Sequence, residues 1–221
     1  MIIKVSLASG REIVGLATKN VYGGAWDVGP TWNYLLAGDR LLLIDAGRRG
    51  MGKTLLEMID AAGFSRNDLS SVVLSHGHED HDGGLSELIR QVSVQAYAHQ
   101  VYGMLNRVDP SKAPTQDKAE IPAACWHCPM PPWFAQKFCP EYHRDRKDLT
   151  VLPLHDLQET PDKGIRFLHV PGHSPDAIAI LVDGEALIVG DTLLPDITPH
   201  PTREQVFELT KGMLSAEYRE A

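Results

Sequence analysis

The chain has 221 residues, 43% hydrophobic and 23% charged, with a formal net charge of -8 and a sequence pI near 5.6. This length fits one domain over residues 1–221 with a sizeable core, and the acidic balance argues against a nucleic-acid partner, which needs a broad basic face. No apolar run approaches the roughly 20 residues that span a bilayer, so a membrane partner is not expected and the chain reads as cytoplasmic.

In chain order, residues 2–8 and 13–18 read as strands joined by a hairpin at Ser9-Gly10-Arg11-Glu12, not as a signal peptide. Gly23-Gly24-Ala25-Trp26-Asp27-Val28-Gly29-Pro30 follows, either a loop able to set Trp26 against an apolar substrate or a glycine-rich hairpin. Strands at 33–37 and 40–44 flank a tight turn at Gly38-Asp39. Residues 51–62 carry Leu55, Leu56, Met58, Ile59 and Ala62 at helical spacing, closed by Gly63 as a C-cap. A strand at 71–75, a short helix at 85–91 and a strand at 92–98 continue an alternating α/β order.

Residues 103–148 form an insert rich in Pro, holding all three cysteines. Cys125, Cys128, Cys139 and His143 have the look of a small zinc knot, against the plainer reading of reduced thiols in a loop or lid. Trp126, Trp133, Phe134 and Phe138 should fold the insert back onto the body. Strands near 151 and at 165–170, 177–182 and 186–189 follow. Thr202-Arg203-Glu204-Gln205 then opens a helix whose Val206, Leu209, Met213 and Leu214 share one face. That face needs the second sheet or a second subunit to cover it, so a homodimer is one expectation.

The chemistry concentrates where strands end. His76-Gly77-His78-Glu79-Asp80-His81 sets four potential metal ligands in six residues, directly after the strand at 71–75. Imidazole and carboxylate suit zinc and also accept iron or manganese. On an extended or turning segment His76 and His78 point the same way, while Asp80 and His81 cannot easily reach the same ion, so a second metal beside the first is the natural arrangement. Two later segments repeat the grammar of strand, sharp turn and ligand: Pro171-Gly172-His173 and Gly190-Asp191-Thr192.

Through Asp45 in Leu42-Leu43-Ile44-Asp45-Ala46-Gly47, then His76, His78, Asp80 and His81, then His173 and Asp191, the chain resembles the metallo-beta-lactamase fold superfamily. The resemblance implies a four-layer αββα sandwich with the insert added to it. It implies His76, His78 and His173 around one metal, Asp80 and His81 on the second, and Asp191 bridging both, with Asp45 structural. The implied cofactor is a pair of Zn2+ ions, with iron or manganese as alternatives. The family's usual last His is not matched: His200, between Pro199 and Pro201, is the sole His after Asp191 and sits closer to it than that ligand normally does.

The implied activity is hydrolysis of a small ester, thioester or lactone by a metal-bound hydroxide, with Asp80 able to accept a proton. The alternatives are an iron-dependent oxidoreductase of sulfur dioxygenase or diiron type, and an inactive metal-binding module. A covalent serine route and a dinucleotide route lack their motifs, since G-x-S-x-G and the dinucleotide glycine signature G-x-G-x-x-G are both absent from the sequence.

Overall fold

The computed structural model describes residues 1–22, 26–27, 29–38, 40–105, 139–157 and 163–193. The large sheet has seven strands: β1 (Ile2–Ser6), β2 (Glu12–Thr18), β5 (Thr31–Ala37), β6 (Leu41–Ile44), β7 (Leu69–Val73), β8 (Gln95–His99) and β9 (Val151–Leu154), side by side in that order. A separate hairpin pairs β3 (Val21–Tyr22) with β4 (Trp26–Asp27), while residues 23–25 and 28 and the Trp26 side chain lie outside what the structure describes. The small sheet is β10 (Ile165–His169), β11 (Ile178–Val182) and β12 (Ala186–Ile188).

From β1 to β6 the pairing is antiparallel, and from β6 to β9 it is parallel. The change follows from the connections. Hairpins join the early strands, with Gly10 at φ 91 in the first turn. The later strands return through helical segments, as parallel pairing requires. Helix α1 (Gly52–Ala61) and the short helices α2 (Glu79–Asp82), α3 (Leu85–Ile89), α4 (Tyr102–Leu105) and α5 (Cys139–Lys147) occupy these crossovers. Helix α1 ends as its sequence suggests: Gly63 takes φ 91, its N–H donates to Asp60 O, and the Phe64 N–H reaches back to Ile59 O.

Two apolar cores define the layers. Leu55, Leu56 and Ile59 of α1 and Leu85 and Leu88 on and beside the α3 face pack on Leu43, Val72 and Ala96 of the large sheet. Its opposite face presents Leu36, Leu42, Ile44 and Val73 to Ile165, Phe167, Ile178 and Ile180 of the small sheet. The alternation along β5 and β6 accounts for this, because Leu35 and Leu43 belong to one core while Leu36, Leu42 and Ile44 belong to the other. The helix expected at 202–214, together with His200, Cys125, Cys128, Trp126, Trp133, Phe134 and Phe138, falls outside the described residues or side chains, as do the side chains of Cys139 and His143. Among the described residues no helix is long and apolar enough to cross a membrane.

A histidine pair also joins the two sheets. The ring of His99 at the end of β8 stacks on that of His169 at the end of β10, with centroids 3.8 Å apart and planes within 12°. The His169 Nε2–H donates to the carbonyl of Pro175 at 2.8 Å, and its backbone N–H donates to Asp156 Oδ1. Burial, reinforced by the neighbouring His169, pulls the His99 pKa down to about 4. Its folded-state pKa lies below the unfolded one, so as pH falls from about 6.5 towards 4 the unfolded chain takes up a proton that the folded chain refuses. The stabilisation present above that window is therefore lost through it. We expect His99→Phe, which keeps a ring on His169, to lose less thermal stability than the wild type between pH 6.5 and 4, as followed by circular dichroism melts; parallel losses would show that His99 is not responsible.

Candidate metal centre

Three turns and one very short helix carry the site, each at a strand end. His76 and His78 follow β7. His78 has extended backbone (ψ 149) and caps α2, so Asp80 and His81 are helical instead of lying on a continuing extended run. His173 follows β10, and Asp191 lies in a single 3-10 turn after β12. Close backbone packing sets the first of these: a side chain on Gly84 would collide with Ala46 O, so α2 and α3 can approach the end of β6 only with glycine there.

Asp45 organises the donors. It is buried, with backbone at φ 64, a left-handed conformation that Asp tolerates better than most residues. Its Oδ1 accepts from the Ser75 N–H at 2.6 Å, and its Oδ2 accepts from Ser75 Oγ and from His81 Nδ1, both at 2.8 Å. Because Ser75 gives its hydroxyl proton to the carboxylate, its Oγ accepts from His76 Nδ1 at 3.0 Å. Both imidazoles are thereby held with Nδ1 outward and Nε2 turned into the donor cluster, and on the neutral His76 that Nε2 carries a lone pair. His76 Nε2 is buried and has no hydrogen-bond partner among the described residues, which suits a ligand atom and little else.

The remaining donors converge on the same space. His173 Nε2 and His78 Nδ1 lie 2.9 Å apart. Asp191 Oδ2 stands 3.5 Å from His173 Nε2 and 3.4 Å from His81 Nε2. Two donor groups result, His76/His78/His173 and His76/His81/Asp191, with all ligand atoms of each within 4.8 Å of one another. Asp80 is held a little apart, its Oδ2 accepting from Asn20 Nδ2 at 2.9 Å and Thr31 Oγ1 at 3.3 Å, and standing 3.6 Å from His81 Nε2. Nothing in the spacing of the chain marks Asn20, Thr31 or Ser75, whose partners are set by sheet register.

The protonation states suit ligation. Burial, helped by mutual repulsion among the imidazoles, lowers His76 well below its ordinary value and His173 to about 3. Burial likewise lowers His78, against the pull of Asp80 and Asp191. Burial alone would raise Asp191, but hydrogen bonding to His81 and the potentials of His81, His173 and His78 bring it down to about 2. His81 is the exception, since the carboxylates of Asp45, Asp80 and Asp191 outweigh its burial and hold it well above the ordinary value. The neutral imidazoles of His76, His78 and His173 beside the ionised Asp191 are a donor set that a divalent cation of borderline softness selects, and His81 would release its Nε2 proton to join them.

A two-sheet sandwich with His and Asp donors gathered at its strand ends defines a class of metal-binding α/β proteins. The sequence matches the Metallo-beta-lactamase superfamily over residues 26–218, and the chain belongs to that family. It is 25% identical over 186 residues to the beta-lactamase-like protein 2 homolog of Drosophila melanogaster, covering 83% of this chain and 53% of that protein. It is 28% identical over 152 residues to hydroxyacylglutathione hydrolase of Methylobacillus flagellatus, covering 69% of this chain and 42% of that one. The chain thus spans about half the length of these curated relatives. Among solved structures it resembles AidC, a dizinc quorum-quenching lactonase in complex with a product, with a TM-score of 0.64 at 18% identity, over 97% of this chain and 86% of that one. At that identity the likeness is one of fold. Metal-dependent hydrolases are among the family's members.

Replacing Asp45 tests the organising role. Asp45→Ala leaves two Ser75 donors and one His81 donor without their acceptor and puts alanine at φ 64. We expect about 2–4 kcal/mol less stability in urea unfolding, together with about 10- to 100-fold weaker metal binding in chelator competition. Unchanged metal affinity would remove Asp45 from the site's architecture.

Proposed function

We propose that this chain is a metal-dependent hydrolase that holds two zinc ions and cleaves a small ester, thioester or lactone. The observation that carries the reading is the pair of donor groups sharing His76, with Asp191 Oδ2 in reach of one donor from each. In this reading His76, His78 and His173 would hold the first ion and Asp80 and His81 the second, with Asp191 in reach of a donor from each group. Such ions, when bound, polarise a carbonyl oxygen and lower the pKa of water from about 15.7 to about 7.

The protein's own groups do the rest. Asp45 and Ser75 fix the imidazole tautomers, so no ring must turn as the reaction proceeds. Asn20 and Thr31 hold Asp80 in place through its Oδ2. The burial that keeps His76 and His78 neutral also limits water around the reacting centre and strengthens each electrostatic contact there. The substrate class rests on this chemistry together with the relatives, one a hydroxyacylglutathione hydrolase and one a lactonase in product complex. The net charge of -8 disfavours a polyanionic substrate.

Elemental analysis of protein purified without added metal, followed by a panel of esters, thioesters and lactones, tests the proposal. Two equivalents of zinc with turnover are expected; iron as the main metal with no hydrolysis would overturn it in favour of redox chemistry. His76→Ala and His173→Ala should each lose first-site metal and lower kcat/KM by about 1000-fold or more, a loss of about 4 kcal/mol of transition-state stabilisation. Asp191→Asn should lower the occupancy of both sites.

A further inference from the structure

Beneath the donor turns lies a second buried polar cluster, built by α5 from the far end of the insert. Tyr142 and Arg146, one helical turn apart, point inward, and both are buried. Arg146 Nη2 forms an ion pair with Asp82 Oδ2 at 3.1 Å, and its Nη1 donates to the Tyr142 hydroxyl at 2.8 Å. The guanidinium carbon lies 4.9 Å from the ring centroids of both Tyr102 and Tyr142. Asp82 is also fully buried and accepts from Tyr102 at 3.0 Å and from the Tyr142 hydroxyl.

Each partner adjoins a donor. Asp82 directly follows His81. Tyr102 packs under Gly77, between His76 and His78, where an added Cβ would stand 3.1 Å from the ring and 3.2 Å from Asp176 Oδ2. Asp176, buried and held by the Ser174 hydroxyl, lies three residues past His173. A parallel outer clamp ties the same helix down: Arg49 bridges Glu141 and Asp145 at 2.8 Å each, while its backbone N–H donates to Glu79, the first residue of α2.

We propose that Arg146 is a positioning residue of the metal centre, setting through Asp82 and Tyr102 the register of the turns that carry His76, His78 and His81. A buried ion pair is seldom the most stable filling for its volume, since well-packed apolar residues often serve stability equally or better. What a planar, multiply hydrogen-bonded guanidinium supplies is fixed geometry. Here that geometry is imposed directly behind the donors, by a helix far from them in sequence. Asp176 feels the same cation, which opposes the rise to about 6 that burial causes.

The proposal rests on the metal-centre reading, and its test reads metal directly in the full chain. Zinc affinity is measured by competition with a chromophoric chelator, and donor geometry by the visible absorption of the cobalt-loaded protein. Arg146→Met is expected to bind zinc about tenfold or more weakly and to alter the cobalt spectrum. Tyr142→Phe deletes only the hydroxyl shared by Arg146 and Asp82, and should weaken zinc by about three- to tenfold; it carries the test if Arg146→Met does not fold. Asp82→Asn placed on Arg146→Met should restore thermal stability without restoring affinity, because it removes an unpaired charge and not the misplacement. Arg11→Met, which breaks the distant pair with Asp183, should leave affinity unchanged. Wild-type affinity and spectrum in the Arg146 and Tyr142 variants would overturn the proposal. A wild type that binds zinc but turns over nothing on the panel would instead overturn the hydrolase reading alone, and one that takes up no metal would overturn both.

Discussion

A buried carboxylate has to be surrounded by donors, and Asp45 meets that requirement with groups from two other segments. Desolvating a carboxylate is costly unless hydrogen bonds replace its water. The Ser75 N–H, the Ser75 hydroxyl and His81 Nδ1 do so. Those groups meet Asp45 because β6 and β7 pair in parallel with Ile44 opposite Val73, and because the Ala46 N–H donates to His81 O at 2.7 Å. Satisfying one charge therefore fixes the register of two strands, the docking of α2 and the tautomers of two imidazoles.

The small sheet enters this arrangement as the second wall. His173 and Asp191 come from its strand ends, and the Ile178 N–H donates to Ser75 O at 2.8 Å, within one residue of His76. Gly190 packs on Ser75, where a Cβ would stand 3.1 Å from Oγ. The two sheets thus touch through backbone beside the donors and through the His99–His169 stack farther along. A cation held by donors from both sheets would relieve the repulsion among crowded imidazole lone pairs, so metal binding and sheet packing stabilise each other.

Much of this was legible from the chain alone. The run from His76 to His81, His173 after Pro-Gly and Asp191 after Gly all lie at strand ends as read, because apolar runs stopped by Pro or Gly identify both the strand and the residue aimed off it. The helical placement of Asp80 and His81 was not legible, since a four-residue helix has too little periodicity to register. Helix α5 was missed for a related reason: its mean hydropathy is low and its inward face is Tyr142 and Arg146, a polar face that no apolar pattern reveals. Asn20, Thr31 and Ser75 were invisible because their partners depend on sheet register.

The distinction between donors and their supports bears on how one fold serves many reactions. The donors sit on turns whose residue types are fixed by coordination chemistry, and they carry little information about substrate. The supports are free to differ, because a carboxylate can be held, or a turn braced, in many ways. Here Asp80 is held by Asn20 and Thr31 at the β2 and β5 side, while α2 is braced from the insert side by Arg146 and Arg49. Changes in the insert are therefore transmitted to the donors through Asp82, which lies next to His81. The last helix of the insert is in mechanical contact with the donor turns, so a substitution in α5 bears on metal geometry as well as on the insert itself.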